Sequence, residues 1–231
     1  CIGLRELPEN LLPATTLAEQ CYLNMFRGCT SLTNVCSLPA TELAEDCYDC
    51  MFYGCESLVS VPTDLLPATV MKKLCYSSMF EGCISLTNVP ALPALVLADN
   101  CYSVMFRKCE SLGIVPTNLL PATVLADSCY YQMFDGCTSL TTAPDLPAAL
   151  LVTGCYNQMF NGCSSLASIT VGFSVWSSDV SPASGPTVAW LDGVYGSGTF
   201  NCPSALCAAG TTSGGNFGSS KIPVGWTVYN L

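Results

Sequence analysis

The chain of 231 residues contains no histidine, and this absence removes several kinds of chemistry. Neither a Ser–His nor a Cys–His nucleophile pair can form, and no serine lies in the Gly-x-Ser-x-Gly context of a nucleophile elbow. The Cys-x-x-Cys spacing typical of zinc occurs only at Cys47 and Cys50, with no imidazole to complete a site. We therefore predict no catalytic residue, no cofactor and no bound metal.

Positive charge is scarce as well, because seven basic residues stand against seventeen acidic ones and the formal net charge is -10. Such a surface repels phosphate backbones and anionic lipid headgroups. Long apolar runs are also missing, since Pro, Gly or a charged residue interrupts every stretch before the roughly 18 to 20 residues that cross a bilayer. We expect no nucleic-acid partner and no membrane insertion of this segment.

What the chain does have is a repeat. A segment of the form Cys-Tyr-x-x-Met-Phe-x-Gly-Cys-x-Ser-Leu begins at Cys21 and recurs with its first cysteine at positions 47, 75, 101, 129 and 155. The steps alternate between 26 and 28 residues, which builds in a longer period of 54. Because one unit has a single apolar face and nothing to bury it against, neighbouring units must stack and share a core.

The spacing inside a unit predicts a helix followed by a strand. Apolar residues at i, i+4 and i+8 place one side of residues 21–29 on a helical stripe. Gly28 stands where that helix would end, since glycine tolerates the left-handed conformation of a helix terminus. Residues 31–35 then form a short β-like segment that a proline breaks in most units.

The run Phe-x-Gly-Cys-x-Ser-Leu-Thr, as at residues 26–33, resembles the repeat of the BspA-like leucine-rich repeat family, found in surface proteins of host-associated bacteria. The resemblance covers residues 1–170 and implies an α/β repeat solenoid, with a short strand and a short helix in each leucine-rich repeat. It also implies a secreted or cell-surface location and adhesion to host or microbial proteins or glycans. It brings no catalytic residues.

Composition changes after the last repeat, because residues 164–231 hold ten of the eighteen glycines and all three tryptophans. We expect residues 171–231 to form a β-rich module that caps the array of 1–170, since a stack needs its apolar end covered. The chain begins inside a repeat, so we expect it to be a piece of a longer protein whose signal or anchor lies elsewhere. We also expect it to be monomeric.

The cysteines leave two alternatives, disulfides or thiols. Cys21 and Cys29 would lie about 12 Å apart on a helix, beyond the roughly 7 Å limit for a bridge. Bridges between neighbouring units remain feasible, but a file of equivalent cysteines has no reason to pair one way, and cysteine packs as a small hydrophobe. We expect mostly reduced, buried thiols in the repeats, and we take Cys202 and Cys207 as the candidate disulfide.

Some positions differ between units, and these are candidates for recognition. The residue after Phe and the pair after Tyr vary, which predicts a solvated surface. The extra two residues of each long unit fall in Pro-containing turns. These turns supply a candidate partner-binding edge of Glu9, Asn10, Thr63, Asp64, Thr117 and Asn118. The alternative is that the long and short units only set the curvature of the array.

Together these patterns predict a non-enzymatic interaction module that binds a surface protein or glycan of host or microbial origin. Two other hypotheses remain. A purely structural spacer would have a featureless polar surface. A glycan-active enzyme or its accessory domain would hold two carboxylates about 5 to 10 Å apart in a cleft.

Overall fold

The computed structural model describes residues 3–177, 181, 184–208 and 222–231, without the side chains of Cys207 and Ala208. Its regular elements are β1 (Ser168–Thr170), β2 (Gly198–Cys202), α1 (Ser204–Ala208) and β3 (Trp226–Asn230). The three strands form one parallel sheet in the order β1-β2-β3. Phe200 lies at its centre, opposite Ile169 on one side and Val228 on the other.

The expected α/β repeat solenoid is wrong. Within the described ranges, the helix α1 has five residues and lies after the repeats, and the strands are the three of one open sheet. No leucine-rich repeat there contains the expected helix with its strand. Without that architecture, nothing in the described structure is evidence of adhesion or of a cell-surface role.

Residues 21–29, which the spacing predicted as a helix, form a run of overlapping turns. Every second N–H donates to the carbonyl three residues earlier, as Leu23 does to Gln20 and Met25 to Tyr22. Three of the four residues between these donors have a left-handed backbone, with φ of 65° at Tyr22, 55° at Asn24 and 68° at Gly28. An α-helix needs a negative φ at every residue. The helix prediction failed because steps of four and eight residues fit a two-residue alternation as well as the turns of a helix.

Most of the remaining N–H groups of these turns bind the next unit. Asn24 donates to Asp49, Phe26 to Met51 and Gly28 to Tyr53, at 2.7 to 2.9 Å. The same bonds recur between all later units, and the last set ends on residues 184–192. With one exception, from Tyr48 to Cys21, these bonds all point towards the C-terminal neighbour. The turn segments of the stacked layers thus form a one-directional backbone ladder, whereas bonds elsewhere in the units, such as that from Ser37 to Glu9, run the other way.

Stacked side chains fill the space between these layers. The phenylalanine rings of successive units lie 5.6 to 5.7 Å apart and nearly parallel, as do the tyrosine rings at 5.5 to 6.0 Å. Offset aromatic pairs at this separation attract one another beyond the area they bury. Met25 in the first layer is 45% exposed, whereas Met51 in the second is fully buried. The prediction of a shared core is therefore confirmed, although its backbone differs from that expected.

The far end of the stack is covered by aromatic side chains. Trp190 is completely buried and lies against Tyr156, Phe173 and Phe200. Strand β1, just before residue 171, pairs with β2, which follows it. The sheet therefore joins residues on both sides of the expected domain boundary.

We expect Gly198→Ala to destabilise this sheet. A Cβ on Gly198 would lie 2.6 Å from the Ala167 carbonyl oxygen and 2.7 Å from the Trp226 ring. Overpacking of this kind costs about 1 to 3 kcal/mol, and thermal unfolding followed by circular dichroism measures it. Gly196→Ala is the matched control, because a Cβ added to Gly196 would meet nothing within 4 Å. Equal melting temperatures for the two variants would contradict this packing.

Candidate functional site

The extra residues of each long unit form exposed turns. The N–H of Leu11 donates to the Pro8 carbonyl at 3.2 Å, and equivalent bonds at 3.3 and 3.1 Å close the turns that begin at Pro62 and Pro116. The six residues of the candidate edge are all exposed, namely Glu9, Asn10, Thr63, Asp64, Thr117 and Asn118. The sequence therefore located three equivalent surface turns.

Each of these turns is bound to the short unit that follows it. The carbonyl of Glu9 accepts from the N–H of Ser37 at 3.0 Å and from its hydroxyl at 2.7 Å. The Thr63 and Thr117 carbonyls each accept an equivalent N–H at 2.8 Å, from Ala91 and Asp145. On this face, a long unit and the next short unit thus form a hydrogen-bonded pair.

Two asparagines outside the predicted candidate edge strengthen this pairing. The Asn34 amide accepts the Leu7 N–H at 2.8 Å and donates to the Leu7 carbonyl at 3.3 Å. Asn88 makes the same two contacts with Val61, at 2.9 and 2.8 Å. Their recurrence at a spacing of 54 residues was the available signal.

A groove lies at each joint between successive pairs. The first, of about 640 Å³, lies between the short-unit residues 34–39 and the turn of the next long unit, including Pro62 and Asp64. The second, of about 360 Å³, has the equivalent position, with residues 89–93 on one side and Pro116 and Asn118 on the other. The two grooves are therefore the same structural feature, repeated after one long period.

The two grooves share an apolar floor but differ in charge. Buried leucines form the floor, such as Leu38 in the first groove and Leu92 in the second. Glu9 and Asp64 line the first groove, whereas Thr63 and Asn118 line the second. Asn10 and Thr117 belong to the same turns but lie outside the linings. The structure thus brings four of the six candidate residues to two grooves.

The variable residues after Phe are less exposed to solvent than expected and contact side chains of neighbouring layers. The Arg27 guanidinium lies 4.2 Å from the centre of the Tyr53 ring. Arg107 lies between Glu81 and Asp135, at nitrogen–oxygen distances of 3.6 and 3.3 Å. Except for Arg27, these side chains are half-buried. The prediction of an ordinary solvated surface is wrong here, because neighbouring layers bring these positions into contact.

Most of the described repeat cysteines are buried thiols, as expected, although Cys21 and Cys50 are partly exposed, and several donate hydrogen bonds across layers. The Cys55 thiol donates to the Phe26 carbonyl at 3.3 Å, and Cys83 donates to Phe52 at 3.2 Å. Burial raises the pKa of Cys75 and of Cys129 to about 12. The side chain of Cys207 lies outside the described residues, so the bridge from Cys202 stays a prediction.

An apolar edge forms a second exposed surface. Val70, Leu95, Val96, Val124 and Leu150 are each 53% to 79% exposed. Val96 and Val124 belong to neighbouring layers and are joined by a parallel bridge. Exposed apolar patches favour association. The monomeric state expected from the sequence stays a prediction.

In the described part of the chain, no group of three or more His, Cys, Asp or Glu residues is arranged to hold a metal ion. No helix in that part is long and apolar enough to cross a membrane. No protein-family model, curated protein or solved structure matches the chain. The resemblance to the BspA-like family therefore stays a prediction.

We expect the protein to unfold in alkali between about pH 9 and pH 12. Unfolded thiols ionise near pH 8.5, whereas burial raises the folded pKa of Cys55 and of Cys155 to about 12. Above about pH 8.5 the unfolded state therefore binds fewer protons than the folded state. The stability that the buried thiols contribute is fully present below the unfolded pKa and is lost as pH rises through the folded pKa.

Circular dichroism measures this transition, while absorbance near 295 nm reports tyrosinate. Burial also raises the pKa of Tyr76, Tyr102 and Tyr130 well above its ordinary value. Their ionisation should accompany unfolding. Tyrosinate formation by these residues while the circular dichroism signal remains native would contradict the burial of the stacked tyrosines.

Proposed function

We propose that the chain is a non-enzymatic binding module that holds an extended protein segment or glycan across the two grooves. The observation that carries the proposal is the repetition of one groove at equivalent joints, one 54-residue period apart. Two equivalent sites on one chain can engage an extended partner through contacts that are individually weak and jointly strong.

The composition of the grooves supports binding. Ligand sites combine an apolar surface with a few polar groups that fix orientation. Leu7, Leu38 and Leu65 supply apolar surface in the first groove, and Glu9, Asn34 and Ser37 supply polar groups. The N–H of Ser37 donates to the carbonyl of Glu9, and the side-chain amide of Asn34 both accepts from and donates to the backbone of Leu7, so the preceding long unit holds one wall in place. A partner would therefore meet a preformed groove.

The rival functions have less support. A spacer has no use for two matched grooves, whose presence argues against a featureless surface. A glycosidase needs a general acid held in apolar surroundings, but Glu9 and Asp64 are exposed turn residues. The extracellular or cell-surface location stays a prediction.

The test uses tryptophans to fill the grooves. Ser37→Trp and Ala91→Trp place a large side chain at exposed lining positions of the first and second groove. Ser111→Trp and Ala149→Trp are matched controls at exposed positions outside both linings. Each protein is applied to glycan and extracellular-matrix arrays, and circular dichroism confirms that all fold alike.

We expect the two groove variants together to reduce binding to wild-type array hits at least tenfold, a loss of about 1.4 kcal/mol. The paired controls should bind as the wild type does. Equal binding by groove variants and controls would place recognition elsewhere and contradict the proposal.

A further inference from the structure

We infer that the partner is a peptide in the polyproline II conformation, with a basic residue in the first groove and an apolar residue, three positions away, in the second. This inference rests on the proposed function of the two grooves. It follows from their difference in charge, their separation and the residues that line them.

Charge assigns the basic residue to the first groove. The carboxylates of Glu9 and Asp64 belong to turns of successive long units, and both line this groove. A lysine or arginine has an apolar stem that suits the floor at Leu38 and a cation that suits the carboxylates. The net charge of -10 also favours a basic partner over an acidic one.

The second groove calls for an uncharged side chain. Its lining contains no acidic or basic residue, and Thr63 and Asn118 are its polar members. Val89, Leu92 and Leu119 are buried residues of the same lining and give it an apolar floor. An aliphatic side chain fits this surface without leaving a charge unpaired.

The separation of the grooves is closer to the repeat of a polyproline II helix than to that of a β-strand. They lie two layers apart, and layers stack at about 4.8 Å in the backbone and at 5.6 Å between Phe52 and Phe80. The grooves are thus about 10 to 11 Å apart. A polyproline II helix returns to the same face after three residues, or about 9.3 Å. A β-strand presents the same face at about 6.6 or 13 Å.

The lining residues argue against two other modes of binding. Prolines line both grooves, at Pro39 and Pro62 in the first and at Pro90, Pro93, Pro116 and Pro121 in the second. Proline has no N–H, so these walls are poor templates for adding a partner strand. No aromatic residue lines either groove, so neither offers a ring on which a sugar could stack.

The test uses end-blocked, proline-rich peptides that contain one lysine and one leucine. In the best peptide the two residues are three positions apart, in either order, and in the comparison peptides they are two or four positions apart. Fluorescence anisotropy at low and high salt measures the dissociation constants. We expect the peptide with the three-position spacing to bind about fivefold more tightly than the comparison peptides. Lys→Gln in that peptide should weaken binding about fivefold at low salt, and less at high salt because salt screens the charge.

Variants of the protein assign the charge to the groove. Glu9→Gln combined with Asp64→Asn should abolish the preference for lysine over glutamine while keeping the preference for spacing. Glu56→Gln combined with Glu110→Gln removes the same charge at exposed positions outside both linings and should change neither preference.

The outcomes separate this inference from the proposed function. Equal affinity for all spacings, or equal affinity for lysine and glutamine peptides, would overturn the inference. If a glycan is the array hit and the tryptophan variants abolish its binding, the grooves bind a partner but the peptide assignment is wrong. If the tryptophan variants weaken no hit, the proposed function is wrong as well.

Discussion

The structure depends on neighbouring N–H groups that alternate between bonds within one layer and bonds to the next layer. In each turn segment one N–H closes a turn within the layer and the next binds the following layer, as Met25 and Phe26 do. This alternation satisfies the backbone without helices or long strands. It also fixes the spacing at which phenylalanine, tyrosine and methionine side chains stack, so core packing and backbone bonding impose the same repeat.

The sequence predicted the stacking of units, the buried thiols and the location of the turns, but it predicted the wrong backbone. Side chains at Cys21, Met25 and Cys29 are compatible with a helix and with a two-residue alternation. Nothing in their apolar character distinguishes the two. Tyr22 has a positive φ, which a tyrosine seldom adopts, whereas the equivalent tyrosines from Tyr76 onward do not. The apolar pattern is the same in all these units, so it carries no signal of the backbone conformation.

The grooves follow from the alternation of long and short units. A turn of a long unit binds the short unit after it, through contacts such as Ser37 to Glu9. The next long turn stands on the other side of a gap. Sequence comparison between units located these turns, including Glu9 and Asp64, but not the gap. The gap depends on which neighbour each turn binds, and the asparagines at 34 and 88 take part in that choice.

Native-state hydrogen exchange of the phenylalanine amides tests the one-directional ladder most directly. The N–H groups of Phe52, Phe80, Phe106 and Phe134 each donate to the next layer at 2.9 Å. If the ladder unites the stack, these amides should be strongly protected and share one opening free energy, close to that of global unfolding. Exchange as fast as that of the exposed turn amides, or with unrelated free energies in successive layers, would contradict the account.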